Sequence, residues 1–322
     1  MNRLAFLLLA AALAACSGPQ LLNSISLGGD FEPASNIVYD DAIDGRLDIY
    51  TPDGAKQAPT VVFFYGGRWT EGDKGDYKFI GKALASRGFV AVIPNYRKYP
   101  QVRFPIFVED GARALKWVHG NIYKYGGSSQ KLFVMGHSSG AHIAAMLALD
   151  EEFLKAVGGS RNWLKGMIGL AGPYDFLPLT SPDLRDIFGP PEQYEKSQPI
   201  FYVDGQNPPL LLLHGEDDET VRVRNTRNLA KAVAAAGGRA ETVIYPEMSH
   251  RKIVATLAGP LQGASDAMDN IADFIRRMAP GRPKPVEAVQ GKPLQEQEEL
   301  PQGRPLAPPP QVSPRPLPPP QP

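Results

Sequence analysis

Gly136-His137-Ser138-Ser139-Gly140 has the spacing G-x-S-x-G, which puts a serine at the apex of a turn between small residues. The apolar run Lys131 to Met135 precedes it and reads as a buried strand; Ala141 to Leu149 follows and reads as a helix. A strand-to-helix turn this tight has no room for side chains beside the serine. It also forces the serine into a strained backbone conformation with its hydroxyl exposed. Such a hydroxyl can attack a carbonyl carbon, but at neutral pH it is a poor nucleophile. It needs a base to take its proton, and the base needs a carboxylate to orient it. Ser138 is the candidate nucleophile.

In folds built on this elbow the chain order is nucleophile, acid, base. Of the five histidines, only His214 and His250 follow Ser138 and lie off its helix. His250 closes Tyr245-Pro246-Glu247-Met248-Ser249-His250, just after the last predicted strand, where the base is expected. The loop after Leu213 is expected to supply the acid, because active-site groups collect at the carboxyl edge of a parallel sheet. It offers Glu216, Asp217, Asp218 and Glu219, and spacing alone does not choose among them. His137 and His142 read as packing residues of the elbow and its helix, and His119 as a plain helix position.

A further run, Thr60 to Tyr65, leads into Gly66-Gly67-Arg68-Trp69. Glycines after a strand let backbone N–H groups face a substrate with no side chain between. The N–H groups of Gly67, Arg68 and Ser139 are the candidate donors for an oxyanion, each such donor being worth ~3 kcal/mol in a tetrahedral transition state.

The elements that must position these groups alternate along the chain. Apolar, β-rich runs occur at 46–50, 60–65, 89–94, 131–136, 165–171, 209–214 and 241–245. Helical patterns lie between most of them, at 76–87, 105–125, 222–236 and 265–278. Runs such as Val61-Val62-Phe63-Phe64 and Leu210-Leu211-Leu212-Leu213 do not alternate polar and apolar residues. Strands of that kind are buried on both faces, which means parallel strands covered by helices. The expected fold class is α/β, a doubly wound, mostly parallel sheet. Residues 174–207, rich in Pro, Asp and aromatics, interrupt the alternation where a cap over the site could be inserted. Trp69, Phe176, Phe188, Tyr194 and Phe201 are aromatic side chains for an apolar pocket or for the core.

From about Asp40 to Met278 the chain resembles the esterase/lipase branch of the α/β-hydrolases, on the elbow, the Gly66-Gly67-Arg68-Trp69 loop and His214-Gly215-Glu216-Asp217-Asp218-Glu219-Thr220-Val221. It is most similar to carboxylesterases with a YGG-x-W or HGG-x-W loop, the prenylcysteine methylesterase-like and kynurenine formamidase-like groups. Asn95-Tyr96-Arg97, Asp110 and Gly172-Pro173-Tyr174-Asp175 add to the likeness. The resemblance to HG-x-x-D-x-x-V implies Asp218 as the acid and His214 as a brace for its loop. Tyr65 stands where many members have histidine, a position that braces the loop. The implied activity is ester hydrolysis by Ser138, His250 and Asp218 through an acyl-enzyme, with no metal or organic cofactor. The same residues would serve an amidase, formamidase or peptidase. An envelope-binding module on a hydrolase scaffold is the alternative from another class.

The chain of 322 residues has 34 Lys+Arg against 34 Asp+Glu, so it gives no electrostatic reason to expect nucleic acid. Met1-Asn2-Arg3 and the apolar run Leu4 to Ala15 read as a signal peptide, residues 1–15. Leu13-Ala14-Ala15-Cys16 resembles the bacterial lipobox, which implies lipid on Cys16, the single cysteine. The expected location is the bacterial cell envelope, on the outer membrane in a Gram-negative organism. Residues 16–36 read as lipidated cysteine and linker, and 37–279 as the hydrolase domain. From 280 to 322 a Pro-rich tail lacks the apolar residues to offset its ordering entropy and reads as disordered. It is either a solvated extension or a spacer or ligand toward an envelope partner.

Overall fold

A computed structural model describes residues 18–25 and 33–280. The signal peptide, Cys16 and the Pro-rich tail beyond residue 280 lie outside the described residues. In chain order the elements begin with helix α1 (Gly18–Ile25) and strands β1 (Ala34–Asp40), β2 (Gly45–Tyr50) and β3 (Ala58–Phe64). Helix α2 (Lys78–Ser86), strand β4 (Val90–Pro94), helix α3 (Ile106–Asn121) and strand β5 (Gly127–His137) follow. Next come helices α4 (Ser139–Leu149) and α5 (Glu151–Ala156), strand β6 (Leu164–Leu170) and helix α6 (Pro182–Phe188). Strand β7 (Leu210–Gly215), helix α7 (Arg224–Ala235), strand β8 (Ala240–Tyr245) and helices α8 (His250–Ala255) and α9 (Ala267–Met278) complete the order.

The strands form one eight-stranded sheet in the order β1-β2-β4-β3-β5-β6-β7-β8. β2 is antiparallel to both β1 and β4; every pairing from β4 to β8 is parallel. Val61, Val62, Phe63 and Phe64 of β3 are all fully buried, as are Leu210, Leu212 and Leu213 of β7. Successive strand residues face opposite sides, so both faces of the sheet are covered. α4 is buried along its whole length, which is why it shows no polar stripe. Among the described residues no helix is long and apolar enough to cross a membrane.

The amino-terminal side departs from the expected linker. β1 begins at Ala34, within the 16–36 stretch read as linker, and pairs Ile37 with Leu47 at the sheet edge. Its residues are mostly half-buried or exposed, so the run carries little periodic signal. α1 lies in the same stretch. Asn23 Oδ1 accepts from the N–H of Phe79 at 3.0 Å, and its Nδ2 donates to the Gly75 carbonyl at 2.8 Å. It supplies a capping acceptor that Tyr77, the residue preceding α2, does not.

The insertion between β6 and β7 holds α6 and a series of short turns. A buried side chain ties it to the body: Asn225 Oδ1 accepts from the N–H groups of Tyr174 and Asp175 at 2.9 and 2.8 Å. Within the insertion, Gln198 Oε1 accepts from Phe176 N–H at 2.8 Å.

Candidate active site

β5 ends at His137, α4 begins at Ser139, and Ser138 between them has φ 55° and ψ −124°. That left-handed conformation is strained for a side-chain-bearing residue. Two close approaches hold it. A Cβ on Gly136 would lie 2.2 Å from the Gly140 carbonyl oxygen, and one on Gly140 would lie 2.0 Å from that of Phe64. Only glycine fits at either place. Ser138 N–H donates to the Leu170 carbonyl on β6 at 2.9 Å, and the Ser138 carbonyl accepts from Ala141 and His142 at 2.9 and 3.1 Å. The side chain is half-buried among fully buried neighbours, so its hydroxyl is the reachable one.

His250 Nε2 lies 2.8 Å from Ser138 Oγ, and His250 Nδ1 lies 2.7 Å from Asp218 Oδ2. Asp218 is buried. Burial works against its charge, but hydrogen bonds from His214, His250 and the Val221 N–H outweigh it and hold the carboxyl well below the usual carboxylate range. An ionised carboxylate can only accept, so His250 Nδ1 carries the proton. Nε2 is then bare and faces the serine hydroxyl. The other oxygen, Asp218 Oδ1, accepts from Thr220 and Val221 N–H at 2.9 and 2.8 Å. The arrangement can draw the proton from Ser138 Oγ while Asp218 stabilises the imidazolium that forms.

Histidines behind the relay set its geometry. His214 Nε2 lies 2.8 Å from the Val221 carbonyl and 3.2 Å from Asp218 Oδ2, two groups that only accept, so Nε2 holds its proton. Its Nδ1 accepts from Thr226 Oγ1 at 2.8 Å. His214 thus braces the loop that carries Asp218 and also touches Asp218 itself. His137 Nε2 donates to the His250 carbonyl at 3.0 Å. Burial, helped by the nearby His250, pushes His137 down to about 3, so it stays uncharged beside the His250 ring. Nothing in the sequence signals that contact. His119, expected as a plain helix position, stacks on Trp163 at 3.9 Å between ring centroids.

The loop after β3 is the second half of the site. Gly67, Arg68 and Trp69 all have positive φ, at 139°, 53° and 60°. A Cβ on Gly67 would lie 2.1 Å from the Glu71 carbonyl oxygen. For Arg68 and Trp69 the left-handed conformation costs about 1–2 kcal/mol each. A Cβ on Gly66 would come within 3.2 Å of Ser138 Cβ, which puts the loop directly against Ser138. The candidate donors Gly67 and Arg68 follow Gly66 directly in this loop, and Ser139 follows Ser138 at the start of α4. Tyr65 braces the loop from behind: its hydroxyl donates to Asn95 Oδ1 at 3.0 Å, and its ring stacks on Tyr96 at 4.6 Å. Tyr96 in turn donates to the Tyr65 carbonyl at 2.7 Å, and Arg97 forks onto buried Asp110.

Side chains from the insertion fix the same loop. Arg68 Nη2 donates to Ser181 Oγ and Asp183 Oδ2, both at 2.9 Å. The Trp69 ring packs edge-on against Phe188 at 4.8 Å and over Phe176 at 6.1 Å. Of the aromatics offered for a pocket, Trp69 and Phe188 are therefore core, Phe176 and Tyr194 are half-buried, and Phe201 is 60 % exposed. Among the described residues no group of three or more His, Cys, Asp or Glu side chains is placed to hold a metal ion.

The BD-FAE family model matches residues 47–233. The chain is 32 % identical over 265 residues to isoprenylcysteine alpha-carbonyl methylesterase ICME of Arabidopsis thaliana, covering 74 % of this chain and 61 % of that protein. It is 29 % identical to esterase LipQ of Mycobacterium tuberculosis, covering 71 % and 58 %. The chain thus spans about 60 % of the length of these relatives. Among solved structures, a hyperthermophilic esterase from the archaeon Pyrobaculum calidifontis superposes with a TM-score of 0.68 at 24 % identity, over 81 % of this chain and 90 % of that one. A truncated carbohydrate esterase from gut microbiota does so with a TM-score of 0.68 at 21 % identity, over 77 % and 96 %. The likeness to these structures establishes the α/β-hydrolase fold.

Proposed function

This chain belongs to the BD-FAE family, and from that membership we propose that it is a serine hydrolase that cleaves carboxylic esters. Ser138 Oγ attacks the acyl carbonyl as its proton passes to His250 Nε2. The oxyanion that forms is held by the N–H groups of Gly67, Arg68 and Ser139. Collapse breaks the ester C–O bond, and His250 returns the proton to the leaving alcohol. A water molecule, deprotonated by His250, then attacks the acyl-enzyme and frees Ser138. Asp218 stays ionised throughout and orients the imidazole. The observation that carries this reading is the unbroken relay of 2.8 and 2.7 Å from Ser138 Oγ through His250 to Asp218. The esterase names of its relatives support an ester over an amide.

A fluorophosphonate should form an adduct on Ser138, located by mass spectrometry, and short p-nitrophenyl esters should be turned over. Ser138→Ala should abolish labelling and lower turnover by at least about 10⁴-fold. A Ser138→Ala protein with near-native turnover would overturn the mechanism. The proposal includes lipid on Cys16, which holds the enzyme at a membrane surface of the cell envelope. Cys16→Ala should move the protein from the membrane pellet to the soluble fraction, and a variant that still pellets would sink the anchor.

A further inference from the structure

The loop of Gly67, Arg68 and Trp69 is strained at Arg68 and Trp69, and what holds it is remote in sequence. The carboxylate of Asp183, at the start of α6, takes two hydrogen bonds from the Arg68 guanidinium, at 3.1 Å from Nε and 2.9 Å from Nη2. Ser181 Oγ donates to the other oxygen of Asp183 at 2.7 Å and accepts from Arg68 Nη2 at 2.9 Å. The carboxylate is therefore aimed at Arg68 before the contact is made. The pair is about half exposed, at 49 % and 50 %. An exposed pair of this kind adds little to folding stability. Its geometric effect is larger, because it fastens a left-handed residue two positions after Gly66, where a Cβ would come within 3.2 Å of Ser138 Cβ. α6 also holds the following loop, where Arg103 Nη2 donates to Asp186 Oδ1 at 2.7 Å and Phe104 N–H donates to the Ile187 carbonyl at 2.9 Å. That loop returns to the first one through the Tyr99 N–H, which donates to the Trp69 carbonyl at 2.9 Å.

We propose that Asp183 is a positioning residue for oxyanion stabilisation, acting through the Arg68 guanidinium, so that the insertion between β6 and β7 takes part in setting the turnover rate. The proposal rests on the esterase reading above. The forked ion pair keeps the Arg68 N–H where the oxyanion develops, and it matters in the transition state more than in the bound ester.

The test compares the full chain with its Asp183→Ala, Arg68→Ala and doubly substituted forms on a p-nitrophenyl ester. Asp183→Ala should lower kcat about tenfold, with KM changed less than about twofold. Binding of an alkylboronic acid, which forms a tetrahedral adduct on the serine, should weaken in proportion to kcat, and the double variant should be no slower than the slower single one. Raising salt from about 0.05 to about 0.5 M should slow the wild type toward Asp183→Ala and leave Asp183→Ala unchanged, because screening removes the pair. An active wild type whose Asp183→Ala form keeps its kcat, or loses only KM, overturns this proposal alone. A folded wild type with neither turnover nor a Ser138 adduct overturns the esterase reading, and this proposal with it.

Discussion

The two halves of the site are held in different ways. Ser138, His250 and Asp218 lie on the connections that leave the ends of β5, β8 and β7 and are fixed by backbone and by buried partners. The Ser138 amide is tied to β6, the glycines of the elbow admit no substituent, and Asp218 takes two backbone N–H bonds. The loop of Gly67, Arg68 and Trp69 is just as strained, but the side chains that hold it reach it from the insertion and from Tyr65. Position in the first half follows from the sheet itself. In the second it depends on packing between segments far apart in the chain. The buried half should therefore tolerate change poorly, and the loop should lose rate before it loses fold.

The sharpest way to break the buried half is electrostatic. Asp218→Asn keeps the shape but removes the charge that stabilises a protonated His250 and selects its tautomer. It should lower kcat by about 10³- to 10⁴-fold with the fold intact by circular dichroism. A loss below about tenfold would mean that Asp218 does not serve this role.

The corresponding break in the loop is steric. Gly67→Ala places a methyl 2.1 Å from the Glu71 carbonyl oxygen in a φ of 139°. The loop must shift, and the two candidate donors on it shift with it. We expect kcat to fall about 10²-fold, with a Tm change of only a few degrees. Equal damage to Tm and to rate would show that the loop is as much a part of the folding core as the elbow.

A pH dependence of stability is shared by both halves. Burial is the main cause that keeps His137, behind the nucleophile, at about 3 and His142, beside Trp69, at about 4. In the unfolded chain each would return to roughly 6.5. Below that value the unfolded state binds a proton that the folded state refuses, so the stability is fully present above about pH 6.5 and drains as pH falls toward 4. The loss is on the order of 1 kcal/mol per pH unit for each histidine. Asp218 adds to it lower down: its depressed carboxyl contributes stability above the unfolded value, and that is lost as pH falls through the folded one. Thermal melts from about pH 7 to about pH 4 should show a shallower slope for His142→Phe than for the wild type. Equal slopes would mean that His142 is not neutral in the folded protein.

The elbow is legible in the amino-acid order because its causes are local: a buried strand, a helix and the glycines between them are neighbours in the chain. The parallel sheet is legible for a related reason, since β3 and β7 are apolar without alternation. β1 is not legible because it is a half-exposed edge, and α1 because a helix of 8 residues carries little pattern. Among four carboxylates in one loop, spacing makes no choice, and Asp218 follows only from resemblance.

Local sequence is enough to specify the nucleophile elbow, the order of the candidate acid and base, and the class of sheet that carries them. These depend on sterics and periodicity over a few residues. Only the folded chain selects which carboxylate meets His250, how His214 and His137 buttress the pair, and what fastens the loop of Gly67, Arg68 and Trp69. Arg68 and Asp183 are 115 positions apart, and no local preference encodes their contact. It exists because the sheet brings two of its carboxyl-edge connections together.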